Sequence, residues 1–247
     1  MQQNNLKVDD IVWPCELDTN VKQSLLAIAE HRYGPKDRKV EEQYAFQRGI
    51  YYYLQGSAAV CFYVTEPEKT IGTIHGKGDW MGVNSVGTQY KVVSNIEVIQ
   101  EVELVFFPEM KLLDLAEREP QIYKLLFTAS RDVHKIWLQS FLAFAHHNVL
   151  QVSYILLDIY NKGGVDGNPS KDIRISQQQL SFVVGCTRSK LNALLKDMEK
   201  RGYIKLGRNK ITLVNLELLN AEVSRMNLMV KDPRADLQLD FDSHRQS

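Results

Sequence analysis

The first half of the chain contains several short apolar runs, rich in aromatic and β-branched residues and separated by turn signals, and such runs are typical of β-strands. Two such runs, 51–54 and 58–64, are separated by Gln55-Gly56-Ser57, which predicts a turn. Further strands are predicted at 70–74, 92–99 and 103–107, with glycines supplying the bends between them. Many short strands with regular turn signals predict an antiparallel β-roll or barrel.

From residue 110 the apolar period becomes helical. A short helix is predicted at 110–117, and a second one runs from Pro120 to about His146, a length of ~40 Å at 1.5 Å per residue. Apolar side chains recur along the second helix at steps of 4, 3, 4 and 3, which is the heptad-like pattern of a helix that pairs with another. This seam consists of Ile122, Leu126, Ala129, Val133 and Ile136.

We predict that this seam contacts the same helix of a second copy, making a homodimer. A second apolar edge, formed by Leu125, Trp137 and Phe141, would then face the roll. The alternative interpretation is an ordinary core helix without a dimer. His146-His147-Asn148 interrupts the pattern and predicts a hinge before another helix at 149–162. A Gly-rich loop follows at 163–170, and the polar tail after Pro233 is predicted to be disordered.

A pair of short helices is predicted after residue 176. Ser176 and Gln179 stand at the spacing of a capping box, in which each side chain bonds to the backbone of the other residue. Gly185 supplies a tight turn, and Thr187 can cap the second helix. Leu191, Leu194, Leu195 and Met198 give that helix one apolar face. This arrangement is a helix-turn-helix.

The polar face of the second helix is suited to reading DNA. Polar and basic residues cluster at its N-terminal end, where such helices enter the major groove. Tyr203–Leu206 and 210–214, joined at Gly207-Arg208-Asn209, predict a β-hairpin wing whose lysines and arginine would contact phosphates. The predicted DNA-binding residues are Gln178, Thr187, Arg188, Ser189, Lys190, Asn192, Lys196, Lys205, Arg208 and Lys210.

Charge supports this interpretation. The chain has no net charge, but residues 169–215 contain ten basic and three acidic residues, so a basic module sits on an acidic body. The apolar runs are too short for a membrane helix, and the first residues lack the features of a signal peptide, so we expect a cytoplasmic protein that does not bind membranes. The three cysteines are far apart, which favours reduced thiols over a disulfide framework or a metal site.

Two other classes of function compete with DNA binding. A ligand-sensing module whose helical domain contacts only protein is the alternative, and the basic excess and the Thr187-Arg188 helix start argue against it. An enzyme has no support, because the sequence lacks a nucleophile elbow, a P-loop and a zinc motif. We therefore expect neither a catalytic activity nor a bound cofactor or metal.

Three stretches resemble the Crp/Fnr family of bacterial transcription regulators, which includes the cyclic-AMP receptor protein and the fumarate-nitrate regulator. Residues 49–56 and 78–82 are similar to the two glycine-containing motifs of the family's roll. The strongest resemblance is Val184-Gly185-Cys186-Thr187-Arg188, followed by 194–204.

The resemblance covers roughly residues 46–214. It implies an α+β fold with an N-terminal antiparallel, jelly-roll-like β-roll, a long dimerisation helix and a C-terminal winged helix-turn-helix. The expected domains are an effector-sensing roll at 1–118, the dimerisation helix and hinge at 119–147, the DNA-binding domain at 148–220 and a tail at 221–247. The implied partners are double-stranded DNA carrying an inverted repeat, a second copy of the chain and RNA polymerase.

The chain departs from the family where effectors bind. Cyclic-nucleotide binders of the family carry a Gly-Glu pair after the second roll motif and an arginine about ten residues later. Here the pair is Gly82-Val83, and the arginine position falls near Val92 or Val93, so cyclic AMP is not expected to bind. Any unidentified small-molecule effector would contact a nearby set consisting of Gly82, Val83, Asn84, Ser85, Thr88 and Gln89.

Two further departures concern the iron–sulfur cluster and the residues that contact bases. The family's oxygen sensors bind an iron–sulfur cluster through cysteines of the N-terminal half, where this chain has only Cys15 and Cys61. Arg188 matches the family's base-contacting arginine. Ser189 and Ala193, however, stand where many members have Glu and Arg, so the DNA site should share only part of the family's common half-site.

Overall fold

The computed structural model describes residues 6–33, 48–65, 69–88, 94–146, 149–162 and 170–234. Its N-terminal part is built on an antiparallel sheet in the order β1-β5-β2-β3, with β4 pairing alongside β2. The strands are β1 (Glu30–Tyr33), β2 (Gly49–Thr65), β3 (Lys69–Gly76), β4 (Trp80–Met81) and β5 (Ser94–Pro108). This is the predicted antiparallel roll.

The turn predicted at Gln55-Gly56-Ser57 is wrong. β2 continues through these residues, and its pairing with β5 shifts register on both sides of Gln55. Gly56 has a φ of 79°, and a Cβ there would lie 1.9 Å from the Glu101 carbonyl oxygen, so only glycine fits. The glycine therefore marks a bulge that bends one long strand. The strands predicted at 92–99 and 103–107 are likewise one strand, β5.

Helices cover one side of the roll. They are α1 (Thr19–Ile28), which the sequence pattern did not reveal, α2 (Glu109–Ala116) and α3 (Gln121–Phe144). Leu25, Leu112 and Leu125 are fully buried, one from each helix, and they pack in a single cluster with Tyr52 and Phe107 of the sheet. One face of α3, from Ile122 to Val133, is thus buried in the core of the N-terminal domain.

The face of α3 that was predicted to contact a second copy is the face that contacts the roll. Ile122 and Ala129 have no exposed surface, Val133 and Ile136 are 4% and 5% exposed, and Leu126 is partly buried. The second predicted edge contacts the roll in part: Leu125 is buried, and the Trp137 ring packs 4.7 Å from the Phe62 ring of β2, whereas Phe141 is 66% exposed. The helical period was right, but the seam assignment was wrong, since these side chains already belong to the core of their own chain.

The C-terminal domain is a winged helix-turn-helix. Its elements are α4 (Val149–Lys162), β6 (Asp172–Ile173), α5 (Gln177–Val184), α6 (Arg188–Lys200), β7 (Ile204–Gly207), β8 (Lys210–Leu213) and α7 (Leu216–Val223). The strands form a small antiparallel sheet in the order β6-β8-β7. Leu156, Leu180, Leu195 and Leu219 are fully buried in its core.

The ordered chain continues past the domain end predicted at residue 220. Residues 224–234 return from α7 to the long helix, where the buried Gln139 side chain holds them. Its Nε2 donates to the Asn227 carbonyl at 2.7 Å, and its Oε1 accepts from the Lys231 backbone N–H at 3.1 Å. The predicted tail is therefore held to α3 at Asn227 and Lys231, and Arg234 donates to Asn220 and Ser224 at the end of α7. The residues after Arg234 lie outside the described part.

Within the described residues, no helix has the length and apolar character needed to cross a membrane. Cys15, Cys61 and Cys186 are all free thiols, as predicted.

Candidate nucleic-acid interface

The start of α5 is the predicted capping box. The Ser176 side chain accepts from the Gln179 backbone N–H at 3.1 Å, and the Gln179 side chain accepts from the Ser176 backbone N–H at 3.1 Å. Two of the backbone donors that a helix start leaves without partners are thereby satisfied. This fixes the first helix of the pair at its N-terminal end.

The turn between the two helices also forms as predicted. Gly185 adopts the left-handed conformation with a φ of 71°, and its N–H donates to the Ser181 carbonyl at 2.9 Å. Ser181 is buried, so its small side chain lets the helices approach. The Thr187 side chain then caps α6 by accepting from the Lys190 N–H at 3.4 Å. Side chains of the first turn of α6 consequently point away from the domain.

The two faces of α6 differ sharply. Leu191, Leu195 and Met198 are completely buried, which anchors the helix. The opposite face is open: Thr187, Arg188, Ser189, Lys190 and Lys196 are exposed, as is Gln178 on α5, while Asn192 is half-buried. Asn192 Oδ1 accepts from the Gln177 side chain at 3.5 Å. The predicted reading residues thus form one exposed surface, which we call the reading face.

Acidic residues of α6 are turned toward structural partners at its other end. Glu199 accepts from the Leu206 N–H at 2.7 Å, and Asp197 contacts Arg201 at 3.4 Å. Tyr203 donates to Glu222 of α7 at 2.8 Å. Within the described part of the chain, no ion pair engages Arg188, Lys190 or Lys196. The positive charge at the start of α6 is therefore available to a ligand.

The wing presents a second basic surface. Arg208 and Asn209 form the two-residue turn between β7 and β8, with Asn209 at a φ of 52°. Lys205 and Arg208 are exposed, but Lys210 is paired with Asp172 at 3.0 Å. A hydrogen bond from Thr212, and then the Lys210 ammonium, lower the pKa of Asp172. Lys210 is thus the least available of the predicted phosphate contacts.

Arg174 is a basic residue that the sequence analysis did not select. It is exposed between Ile173 and Ile175, each of which is 2% exposed. Together with Arg208 and Lys210 it lines a surface groove of about 350 Å³ between the start of α5 and the wing. The alternation of polar and apolar residues from Asp172 to Ser176 is a signal that could have identified it as an outward-facing position.

The predicted effector residues have structural contacts instead. Gly82 has a φ of 83° and leads into a 3-10 helix at Val83–Ser85. Ser85 donates to the Gly82 carbonyl at 2.7 Å, and Thr88 to the Ser85 carbonyl at 2.9 Å. Asn84 accepts from Ser130 of α3 at 2.6 Å. These bonds fix a compact turn against the long helix.

Val83 is 6% exposed and packs in the N-terminal core. Gln89, the remaining predicted effector residue, lies outside the described residues.

Comparison with known proteins supports the assignment of the C-terminal part. Residues 151–222 match the family model of the Crp-like helix-turn-helix domain. A comparison of the full sequence with characterised proteins finds no significant match.

Solved structures share the fold over about four fifths of this chain. A putative transcriptional regulator of the Crp/Fnr family from Eubacterium rectale superposes with a TM-score of 0.62 at 16% identity, over 84% of this chain and 95% of that one. The c-di-GMP-responsive global regulator CLP from Xanthomonas campestris gives 0.60 at 18% identity, over 80% and 100%. FixK2 from Bradyrhizobium japonicum gives 0.61 at 16% identity, over 78% and 96%.

The capped helix pair, its basic reading face and the wing are therefore a Crp-like helix-turn-helix domain, carried on a chain that has the fold of the Crp/Fnr-family transcription regulators.

Proposed function

We propose that this chain is a dimeric transcription regulator that reads double-stranded DNA with α6 in the major groove. The observation that carries the proposal is the reading face, where exposed Arg188, Ser189 and Lys196 lie opposite the fully buried Leu191 and Leu195. A B-DNA major groove admits one α-helix, and arginine can pair with two acceptors of guanine there. The exposed wing residues Lys205 and Arg208 lie where phosphate contacts are expected.

The second copy is expected on the outer face of α3. Tyr123, Phe127, Trp137 and Phe141 are 55%, 71%, 41% and 66% exposed. With Ser130 and His134 they recur at steps of 4, 3, 4, 3 and 4, which is one continuous stripe. The edge of this row nearest the roll has partners there, since the Trp137 ring lies 4.7 Å from the Phe62 ring of β2 and Ser130 donates to Asn84. We call these six residues the α3 stripe. It lies one residue after the predicted seam, a rotation of about 100° around the helix, and large aromatic side chains in such a row favour burial against a partner.

A two-fold dimer presents two copies of α6, so the expected target is an inverted repeat with half-site centres about 34 Å apart. Such a regulator acts on genes through RNA polymerase in the cytoplasm. We assign the chain no catalytic reaction.

Any effector of this regulator is expected to differ from cyclic AMP. Valine at position 83, where cyclic-nucleotide binders carry a glutamate, supports this, because its side chain is buried in the core and offers no acceptor to a ribose hydroxyl. Calorimetric titration should give no measurable binding of cyclic AMP at micromolar concentrations, and a dissociation constant in that range would refute the expectation.

DNA recognition itself is tested by titrating the full chain with a pool of fragments of random sequence and with one selected duplex at several salt concentrations. A regulator of this kind should bind the selected duplex at least ~1000-fold more tightly than the random pool at physiological salt. Its affinity should also fall steeply as salt rises, because counterions are released from each neutralised phosphate. Weak binding to both DNAs would favour the alternative that the helical domain contacts protein.

A further inference from the structure

The DNA-binding domain is packed directly on the roll. Buried residues of β2 and β3, among them Cys61 and Ile74, belong to the same apolar cluster as Ile155 of α4 and Val183 of α5. This contact between strand β3 and helices α4 and α5 is called the interdomain contact below. It brings the first helix of the helix-turn-helix against the sheet.

Two glycines of β3 make the close approach feasible. A Cβ on Gly72 would lie 2.9 Å from the Cα of Val183 in α5. A Cβ on Gly76 would lie 2.6 Å from the Cβ of Lys162, the last residue of α4. Neither glycine has a positive φ, so the lack of space rather than the backbone conformation requires glycine here.

An ion pair lies at the centre of the interdomain contact. Lys162 Nζ is 2.6 Å from Asp79 Oδ2 and also donates to the Ile74 carbonyl, and the same carboxylate oxygen accepts from the Gly76 N–H at 2.9 Å. The two side chains are only 10% and 20% exposed. Breaking a pair at such depth is costly, because the remaining charge is left without a partner.

The start of α5 makes a further polar contact with the sheet. The Gln179 side chain, which completes the capping box with its oxygen, donates through Nε2 to the Val98 carbonyl of β5 at 3.2 Å. The orientation of the DNA-binding domain relative to the roll is thus fixed by contacts from both α4 and α5.

Asp79 opens the segment that makes the second roll motif. Its backbone carbonyl accepts from the Tyr53 N–H at 3.0 Å, and β4 follows immediately. At the far end of the segment, Asn84 bonds to Ser130 of α3, and the Gly87 N–H donates to Glu109 at 2.7 Å. One segment, 79–88, therefore contacts the DNA-binding domain at one end and the long helix at the other.

We propose that the Asp79–Lys162 pair positions the DNA-binding domain, and that it transmits any rearrangement of segment 79–88 to the reading face. The proposal rests on the proposed function, since it assigns two positioning residues to DNA recognition. Neither residue belongs to the reading face, because both side chains are largely buried and Lys162 is bonded to the roll. Without the pair the domain can adopt several orientations. Fixing both reading faces of a dimer on one duplex then costs additional conformational entropy, and binding is weaker.

The test compares the full-length wild type with Lys162→Met, Asp79→Asn and the double variant on one selected duplex. Each single variant should bind about tenfold more weakly, within the ~5- to 150-fold range of coupling between sites. The double variant should be no weaker than the singles, because both remove the same contact. Lys135→Met is the matched control: Lys135 pairs with Asp132 at 2.9 Å on the exposed side of α3, and its loss should change nothing.

Two readouts separate positioning from other roles. Hydrogen exchange should increase in β3 and α4 of the variants while the core of α6 keeps its protection. The salt dependence of binding should keep its wild-type slope; a slope reduced by about one unit would mean that Lys162 neutralises a phosphate and would overturn the proposal. Additive losses in the double variant would also overturn it.

Gly76→Ala provides a variant that changes no charge. The added Cβ pushes against Lys162, so the same loss of affinity and the same increase in exchange are expected. Wild-type affinity in both Gly76→Ala and Lys162→Met would refute the proposal while leaving DNA recognition intact. A wild type that fails to prefer any duplex would instead refute the proposed function.

Discussion

At the scale of single residues, base reading and phosphate contact should separate cleanly. Arg188 is exposed in the first turn of α6, where the cap at Thr187 fixes the start of the helix. Arg188→Ala should cost ~1–3 kcal/mol on the preferred duplex and flatten the preference at one position of each half-site. Binding to duplexes that each carry one altered base pair measures this. An equal drop on every duplex would place Arg188 on phosphate instead.

Lys205 and Arg208 of the wing should behave differently. They are exposed on a hairpin that presents no groove-sized surface, so we expect phosphate contacts. Lys205→Ala should weaken binding to all duplexes alike and reduce the salt slope by about one unit. Lys210→Ala is an informative comparison. Lys210 is already paired with Asp172, so its replacement should reduce the salt slope less than Lys205→Ala does. A changed base preference in Lys205→Ala would contradict this division of roles.

His75 should make stability depend on pH. Burial, and then the Lys162 cation, lower the pKa of His75 to about 3, although Asp79 acts in the opposite direction. The folded chain therefore binds fewer protons than the unfolded chain between pH 3 and the ordinary histidine pKa of ~6.5, and stability falls as pH drops through that range. Between pH 7 and pH 5 this residue alone should remove ~2 kcal/mol of the free energy of unfolding.

Urea denaturation at the two pH values measures this dependence. His75→Gln should lose ~2 kcal/mol less than the wild type on acidification. Equal losses in the two proteins would show that His75 is not buried in the neutral form.

At the scale of elements, variants of α3 test whether the α3 stripe is the dimer interface. Phe127→Glu combined with Phe141→Glu should yield folded monomers, because like charges would face their copies across the α3 stripe. Val133→Glu should instead unfold the N-terminal domain, since Val133 is 4% exposed in the core. Lys135→Glu, on the exposed side of the same helix, should leave the dimer intact. Sedimentation velocity and circular dichroism distinguish these outcomes, and a dimer that persists in the Phe127/Phe141 variant would refute the stripe.

The same helix shows how far the sequence could be followed. The 4-3 period correctly identified one long helix, but two such stripes run along it one residue apart, and period alone does not say which one the roll covers. That choice depends on α1, α2 and the sheet, which contact the Ile122 side. Gly56 was misread for a similar reason, because glycine at a positive φ serves turns and bulges alike.

Local signals were more reliable in the C-terminal domain. Ser176, Gly185 and Thr187 each act through backbone groups within a few residues, so their roles could be predicted without knowing the tertiary structure. The partners of Gln139, Asp79 and Lys162 lie more than 80 residues away along the chain, and no local pattern could reveal them.

At the scale of the whole molecule, the structure joins a roll, a long helix and a basic reading domain into one unit. The roll contacts α3 through Asn84 and α4 through Asp79. Both the long helix and the DNA-binding domain are therefore in contact with segment 79–88. The exposed reading face remains open while the domain is packed on the roll. DNA can therefore be read without first separating the two domains.

Selection of binding sites from random duplexes, using the full-length protein, tests the central claim most directly. A dimer that reads DNA with α6 should enrich inverted repeats whose half-site centres are about one helical turn, ~34 Å, apart. The Phe127→Glu/Phe141→Glu variant should enrich at most a single half-site. Failure of the wild type to enrich any sequence, or enrichment without two-fold symmetry, would contradict the account.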